Sequence, residues 1–336
     1  MNEPKAYPAT DVRFGVTHSS EVLFLTGGLL AHPQAPGTLL LGPVRHESRI
    51  VYVGPNDAID VFKIAAEAGA YFVGSNRTYL SSPERCETWQ PNPGSKSFVE
   101  QSSDAWSGIS HAASVAGDTA YSDLSRYLSI SMSSAALRLR EVSQRHHEQL
   151  VWSLQAGRKS GSRFANSALH ELYLAIHSLV AEMCSARDYL AHLCAIHVQA
   201  KDGTDSLARL VKWIEKRGAE QASRSQFAAL MMAANGTEES PHWLSKLGDV
   251  RNRLMHRQPM AADPDSSVLL YEVRSTSLCE FGTVRLSSRS RDADGADAED
   301  PFVSLLRFWI ELEGLARSCA ANAKYPVQHP VFVAVD

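Results

Sequence analysis

The chain has 336 residues, 44% of them hydrophobic, and a formal net charge of −4. That is enough apolar material for the core of one large domain or two ordinary ones, and it excludes a global basic field that draws in nucleic acid. Five cysteines (Cys86, Cys184, Cys194, Cys279 and Cys319) form no CxxC pair, which argues for reduced thiols. No apolar signal-like stretch opens the sequence and no run reaches the roughly 20 apolar residues of a membrane span, so a soluble, cytoplasmic protein is expected.

Residues 1–90 read as a small α/β module of unassigned role. Short apolar runs at 22–26, 38–41, 50–53 and 71–73 are bounded by Gly and Pro, as buried strands are. Between the last two, residues 57–68 have helical spacing at Ile59, Phe62 and Ala66, with Asn56 as cap and Gly69 as stop. Strand, helix and strand in this order suggest a βαβ crossover. Neither Gly27-Gly28 nor Gly54-Pro55 fits a phosphate-loop pattern, so both are read as turns.

Residues 91–118 are rich in Pro, Gly and Ser and read as a linker. A helical region then runs over 119–325. Its first helix spans 121–156, with a break expected near 131–134, and a basic turn follows at 157–161. A second long helix covers 164–198, antiparallel to the first because the joint is short. Shorter helices are expected at 206–216, 225–234 and 241–257. A β-hairpin at 268–274 and 283–287, turned at Gly282, precedes an acidic, apolar-poor loop at 288–300 that reads as disordered. A last amphipathic helix spans 301–320, and 326–336 is a tail. The fold class expected is mainly α, a helical bundle with a hairpin insertion behind the α/β module.

The helix at 241–257 carries Arg251-Asn252-Arg253-Leu254-Met255-His256, an RNxxxH string. Ser240 suits its cap, Pro241 its first position and Pro259 its end. Arg-to-His spacing also occurs at Arg13–His18, Arg140 with His146 or His147, Arg163–His170 and Arg187–His192. At about 100° per residue, Trp243, Leu244, Leu247, Val250 and Leu254 form a buried stripe. Asp249, Asn252 and His256 fall on the opposite side, with Asn252 and His256 one turn apart. Arg187 and Asp188, inside the second long helix, read as ion-pair or supporting groups and His192 as a packed bundle histidine.

This motif and its late position after two long helices resemble the signature of HEPN domains, helical bundles that often act as metal-independent ribonucleases. The resemblance covers the motif and its helical surroundings. It implies Arg251, Asn252 and His256 as catalytic residues, no metal or other cofactor, and a homodimer in which two Arg–His sets line one cleft. Histidine titrates near neutrality and serves as acid or base, while arginine presents a planar fork to phosphate oxygens. Attack by the RNA 2′-hydroxyl would leave a 2′,3′-cyclic phosphate and a 5′-hydroxyl. Lys246, Arg253 and Arg257 provide a local cationic patch for RNA. The setting implied is toxin–antitoxin or anti-phage defence, with an antitoxin as a further partner. Gln258 stands where a related group of HEPN toxins carries a modified tyrosine, so the resemblance does not extend to that control.

Two other readings stay open. The domain is a non-catalytic module that binds RNA, nucleotide or protein, or the helical half is a dimeric scaffold. The histidines and cysteines of the second long helix (His170, His177, Cys184, His192, Cys194 and His197) have no zinc-motif spacing and read as packing residues.

Overall fold

The computed structural model describes residues 5–8, 19–81, 84–92, 101–257, 259–260, 268–287 and 300–329. The chain divides into two compact units that interleave along the sequence. One comprises Met1–Asn92, Ala136–Ile176 and Gln258–Leu306, the other Pro93–Ala135, His177–Arg257 and Arg307–Asp336. The fold is therefore mixed α/β rather than a helical bundle preceded by a small module.

The first unit is built on a seven-stranded sheet of β1 (Lys5–Pro8), β2 (Ser19–Leu25), β3 (Leu30–Ala35), β4 (Thr38–His46), β5 (Arg49–Asn56), β6 (Phe72–Ser81) and β7 (Glu84–Pro91). The order is β1-β5-β4-β3-β2-β6-β7, and every neighbouring pair is antiparallel. Strands β2 to β5 form a meander. Helix α1 (Ala58–Glu67) then links β5 to β6 on the far side of β2. Counting alternations across the sheet, β5 and β6 point the same way, but three strands separate them. The expected crossover is thus a long one inside an antiparallel sheet.

Asp57, not Asn56, caps α1, its carboxylate accepting from the Asp60 N–H at 2.8 Å. The buried face is also not the one expected. Val61, Ile64 and Ala65 are buried, whereas Ile59 is 78% exposed and Phe62 40% exposed. Two apolar stripes compete on this helix. The one with small residues at 65 and 68 permits the closer approach to its neighbours.

A second sheet in the same unit pairs β8 (Ser162–Phe164), β9 (Val268–Ser275) and β10 (Glu280–Ser287) in the order β10-β9-β8. The hairpin turns at 276–279, where the Thr276 N–H and the Cys279 carbonyl close it at 3.0 Å. Gly282, the expected turn residue, lies inside β10 opposite Val273, where a side chain would collide with the Tyr271 ring. The acidic loop lies outside the described residues except for Asp300, as does the tail from residue 330 on.

Helix α2 (Ser102–Val115) occupies the stretch expected as a linker. Its Gln101 cap makes no side-chain hydrogen bond. The buried Glu313 carboxylate substitutes for it, accepting from the Ser102 N–H at 2.8 Å, the Ser102 hydroxyl at 2.5 Å and Arg317 Nε at 3.0 Å. Trp106, fully buried, donates to the Ala316 carbonyl. A serine-rich segment becomes helical here because another helix supplies its missing acceptors. Glu313→Ala is expected to cost about 3 kcal/mol, since it strands two donors and a guanidinium. Glu313→Gln should recover part of that loss, both read as shifts of a denaturant midpoint.

Helix α3 (Thr119–Gln155) runs 37 residues without the expected break. Ser131 is buried in its middle, so this serine is an interior contact and not a punctuation mark. After the turn with Gly157 and Gly161 at positive φ, β8 precedes α4 (Leu169–His197). The second long helix thus begins five residues later than expected. Tyr121 meets His197 and Tyr127 meets Tyr189, so the pair is antiparallel.

The remaining helices are α5 (Leu207–Trp213), a π-helical turn Ile214–Gly218, α6 (Ala219–Ser223), α7 (Gln226–Asn235), α8 (Trp243–Asn252) with a π-helical turn Arg253–Arg257, and α9 (Pro301–Ala320). Among the described residues no helix is long and apolar enough to cross a membrane.

Candidate functional site

Helix α8 starts later than its sequence implies. Gly236 and Pro241 form an isolated bridge, and the His242 N–H donates to the Asn235 carbonyl at 3.0 Å. Ser240 therefore closes the turn after α7, and His242 occupies the cap position without a side-chain cap bond. Leu244, Leu247 and Leu254 are buried as expected, while Trp243 and Val250 are half-buried. Gly248 joins the buried face because the Arg187 guanidinium lies directly over it, where a methyl group would collide.

The motif straddles a change of helix type. Arg251 and Asn252 end the α-helix, whereas Arg253–Arg257 is π-helical. A π turn holds one extra residue per hydrogen-bonded ring and is frequent at functional positions. It widens the spacing assumed between Asn252 and His256, yet both side chains remain exposed, with Leu254 as the buried anchor between them. Arg251 is half-buried and donates to Asn252 Oδ1 at 3.3 Å. Asn252 thus orients the guanidinium and not the imidazole. Its amide N–H groups point to no partner among the described residues.

Lys246, Arg253 and Arg257 are exposed and, like Arg251, make no ion pair among the described residues. Four cations and one imidazole thus gather along less than four turns, with Asp249 as the one carboxylate among them. A phosphodiester would meet an unneutralised surface there.

Arg187 was missed as a neighbour of this motif. Its guanidinium is held by Asp188 at 3.0 Å, with 13% of the Arg187 side chain exposed, and Asp188 also accepts the Leu207 N–H at 3.3 Å. That confirms an ion pair. It also brings Arg187 onto the stripe of α8 that continues from Gly248 to Arg251 and Asn252, three and four residues on. Arg187–His192 and Arg251–His256 are therefore not simple alternatives, since one arginine of the first pair packs on the helix of the second. No periodicity signals this, because it depends on how α4 crosses α8.

Cys184, one turn before Arg187, donates to the Leu247 carbonyl at 3.8 Å. Burial pushes its thiol up to about 11, opposed by Arg187, reinforced by Asp188 and opposed again by Arg251. The thiol stays protonated and unreactive despite two nearby guanidiniums. The other histidines and cysteines of α4 are dispersed: His170 lies against Tyr173, and His197 bonds the Tyr121 hydroxyl at 3.0 Å. Among the described residues no three His, Cys, Asp or Glu groups are placed to hold one metal ion.

Compared with known protein families, curated proteins and solved structures, the chain matches none.

Proposed function

We propose that the chain is a metal-independent endoribonuclease of the HEPN type, with Arg251, Asn252 and His256 as its working residues. The observation that carries this reading is the end of α8. There a solvent-exposed imidazole lies among Lys246, Arg251, Arg253 and Arg257, none of them neutralised by an ion pair among the described residues. His256 moves the proton of the attacking 2′-hydroxyl or of the leaving 5′-oxygen, and Arg251, oriented by Asn252, takes the phosphorane charge. Each chain offers one such imidazole, so acid and base together call for two copies across a homodimer. The HEPN-like part would then be the unit that carries α8, Pro93–Ala135, His177–Arg257 and Arg307–Asp336, and the other unit would sense or position. A cytoplasmic role in toxin–antitoxin or anti-phage defence, with an antitoxin partner, follows from the resemblance.

The test is RNA digestion in EDTA with analysis of the new ends, alongside the mass in solution. Cleavage leaving 2′,3′-cyclic phosphates from a dimer supports the proposal. Activity from a strict monomer removes the two-histidine cleft. One observation favours a second reading, a non-catalytic binding module: Arg251 is half-buried and tied to Asn252 instead of His256. RNA binding without cleavage would select it.

A further inference from the structure

The first unit contains a cleft of about 490 Å³ remote in sequence from the RNxxxH motif. One wall is the α3 face with His147, Trp152 and Gln155; the other is the segment with Asn166 and Ser167 that leads into α4. The volume suits a single small ligand.

Trp152 is 39% exposed although it is the largest side chain there. The Arg158 guanidinium stacks on it, 4.5 Å from the ring centre, and on Phe164 at 3.8 Å. Neither Arg158 nor Phe164 lines the cleft, so the cation backs the indole while the cleft reaches it from another side. Apart from Glu148, the polar groups around it are neutral. Gln149, buried, and Asn166 exchange reciprocal amide bonds of 2.7 and 3.2 Å, which fixes both orientations. His147 Nδ1 donates to the Gly28 carbonyl at 2.9 Å, and burial holds the imidazole neutral. Its Nε2 is thereby an acceptor, with no partner among the described residues. Gln155 adds an exposed amide.

An aromatic surface with fixed neutral donors and acceptors beside it fits a flat heteroaromatic ring that carries both kinds of group on its edge. The charge beyond it distinguishes such a ring from a sugar. Helix α3 ends at Gln155, the turn after it carries Arg158 and Lys159, and the Arg45 guanidinium lies against Gly157. Lys159 and Arg45 make no ion pair among the described residues, whereas Glu148 in the cleft shares Arg145, at 2.9 Å, with Glu171 at 2.7 Å. A neutral pyranose has no use for cations just beyond the cleft, but a phosphate does.

We propose that this cleft binds an unpaired nucleobase against Trp152, with its phosphate toward Arg45 and Lys159. The base comes either from a single-stranded RNA or from a free nucleotide. Binding is measured with the full chain carrying His256→Ala, by anisotropy of labelled U8 and A8 RNA and by competition with AMP, UMP and maltose. Trp152→Ala is expected to weaken binding by about 5- to 150-fold, as loss of one stacked base does. Trp152→Phe should retain most of it, and Gln155→Ala should alter the preference between U8 and A8. Competition by a mononucleotide assigns the site to a free nucleotide; its absence assigns it to a strand. The proposal is overturned if neither RNA nor mononucleotide binds, if a Trp152→Ala chain of unchanged melting temperature binds as well, or if maltose displaces the RNA. RNA cleavage by the wild-type chain with Trp152-independent binding would sink this site alone. Trp152-dependent binding without cleavage would sink the nuclease reading alone.

Discussion

His256→Ala is expected to lower RNA cleavage in EDTA by about 10²- to 10⁴-fold, the contribution of one positioned acid or base. His256 is exposed and makes no side-chain hydrogen bond or ion pair among the described residues, so the substitution removes chemistry and little structure. The variant should keep the wild-type mass in solution and melting temperature. Arg251→Ala should cost about 10²- to 10³-fold, as loss of one stabilising donor does, and Arg251→Lys should not restore it because a point charge lacks the planar fork. Equal RNA loss with wild type and His256→Ala, or none with either, would remove the nuclease reading.

The second large effect is on stability in acid. His146 is fully buried on α3, donates from Nδ1 to the Val142 carbonyl at 3.0 Å and stacks on Phe302 with ring centres 4.8 Å apart. Its Nε2 has no partner among the described residues. Burial, against the Val142 bond, pulls its pKa from 6.5 to about 4. His32 is likewise lowered to about 4, first by burial and then by the charge of His147. Between about 4 and 6.5 the unfolded chain binds these protons and the folded chain does not. Stability is therefore fully present above about 6.5 and falls as the pH drops toward 4. Each group contributes a loss of about 2 kcal/mol at pH 5. A thermal or denaturant series from pH 7.5 to 5 should show the decline, and His146→Leu should flatten it by about half. An unchanged slope in that variant would refute the assignment.

Local signals were legible where a physical rule acts within one segment. Helix α9 begins and ends where its periodicity places it, at Pro301 and Ala320. The hairpin of β9 and β10 and the short apolar strands β2, β4, β5 and β6 lie where alternation puts them, though each runs longer and the hairpin turns at 276–279 instead of at Gly282. Leu244, Leu247 and Leu254 are buried, and Asn252 and His256 exposed, as one face of a helix demands. Cues that depend on a distant partner misled. Ser102 reads as linker because its acceptor, Glu313, lies more than two hundred residues away. The α1 face turned inward is the one with small residues, which only the neighbouring strands select.

For the RNxxxH stretch, the sequence by itself determined which residue types are present, that they lie on a helix and which of them face outward. Those properties follow from composition and the helical repeat alone. The tertiary structure decided the rest. It placed a π turn across the motif, bound Arg251 to Asn252, and laid Arg187 over Gly248 on the same helix. The first two are local yet leave no mark in the helical repeat, and the third is a contact with α4 that no pattern within 251–256 encodes.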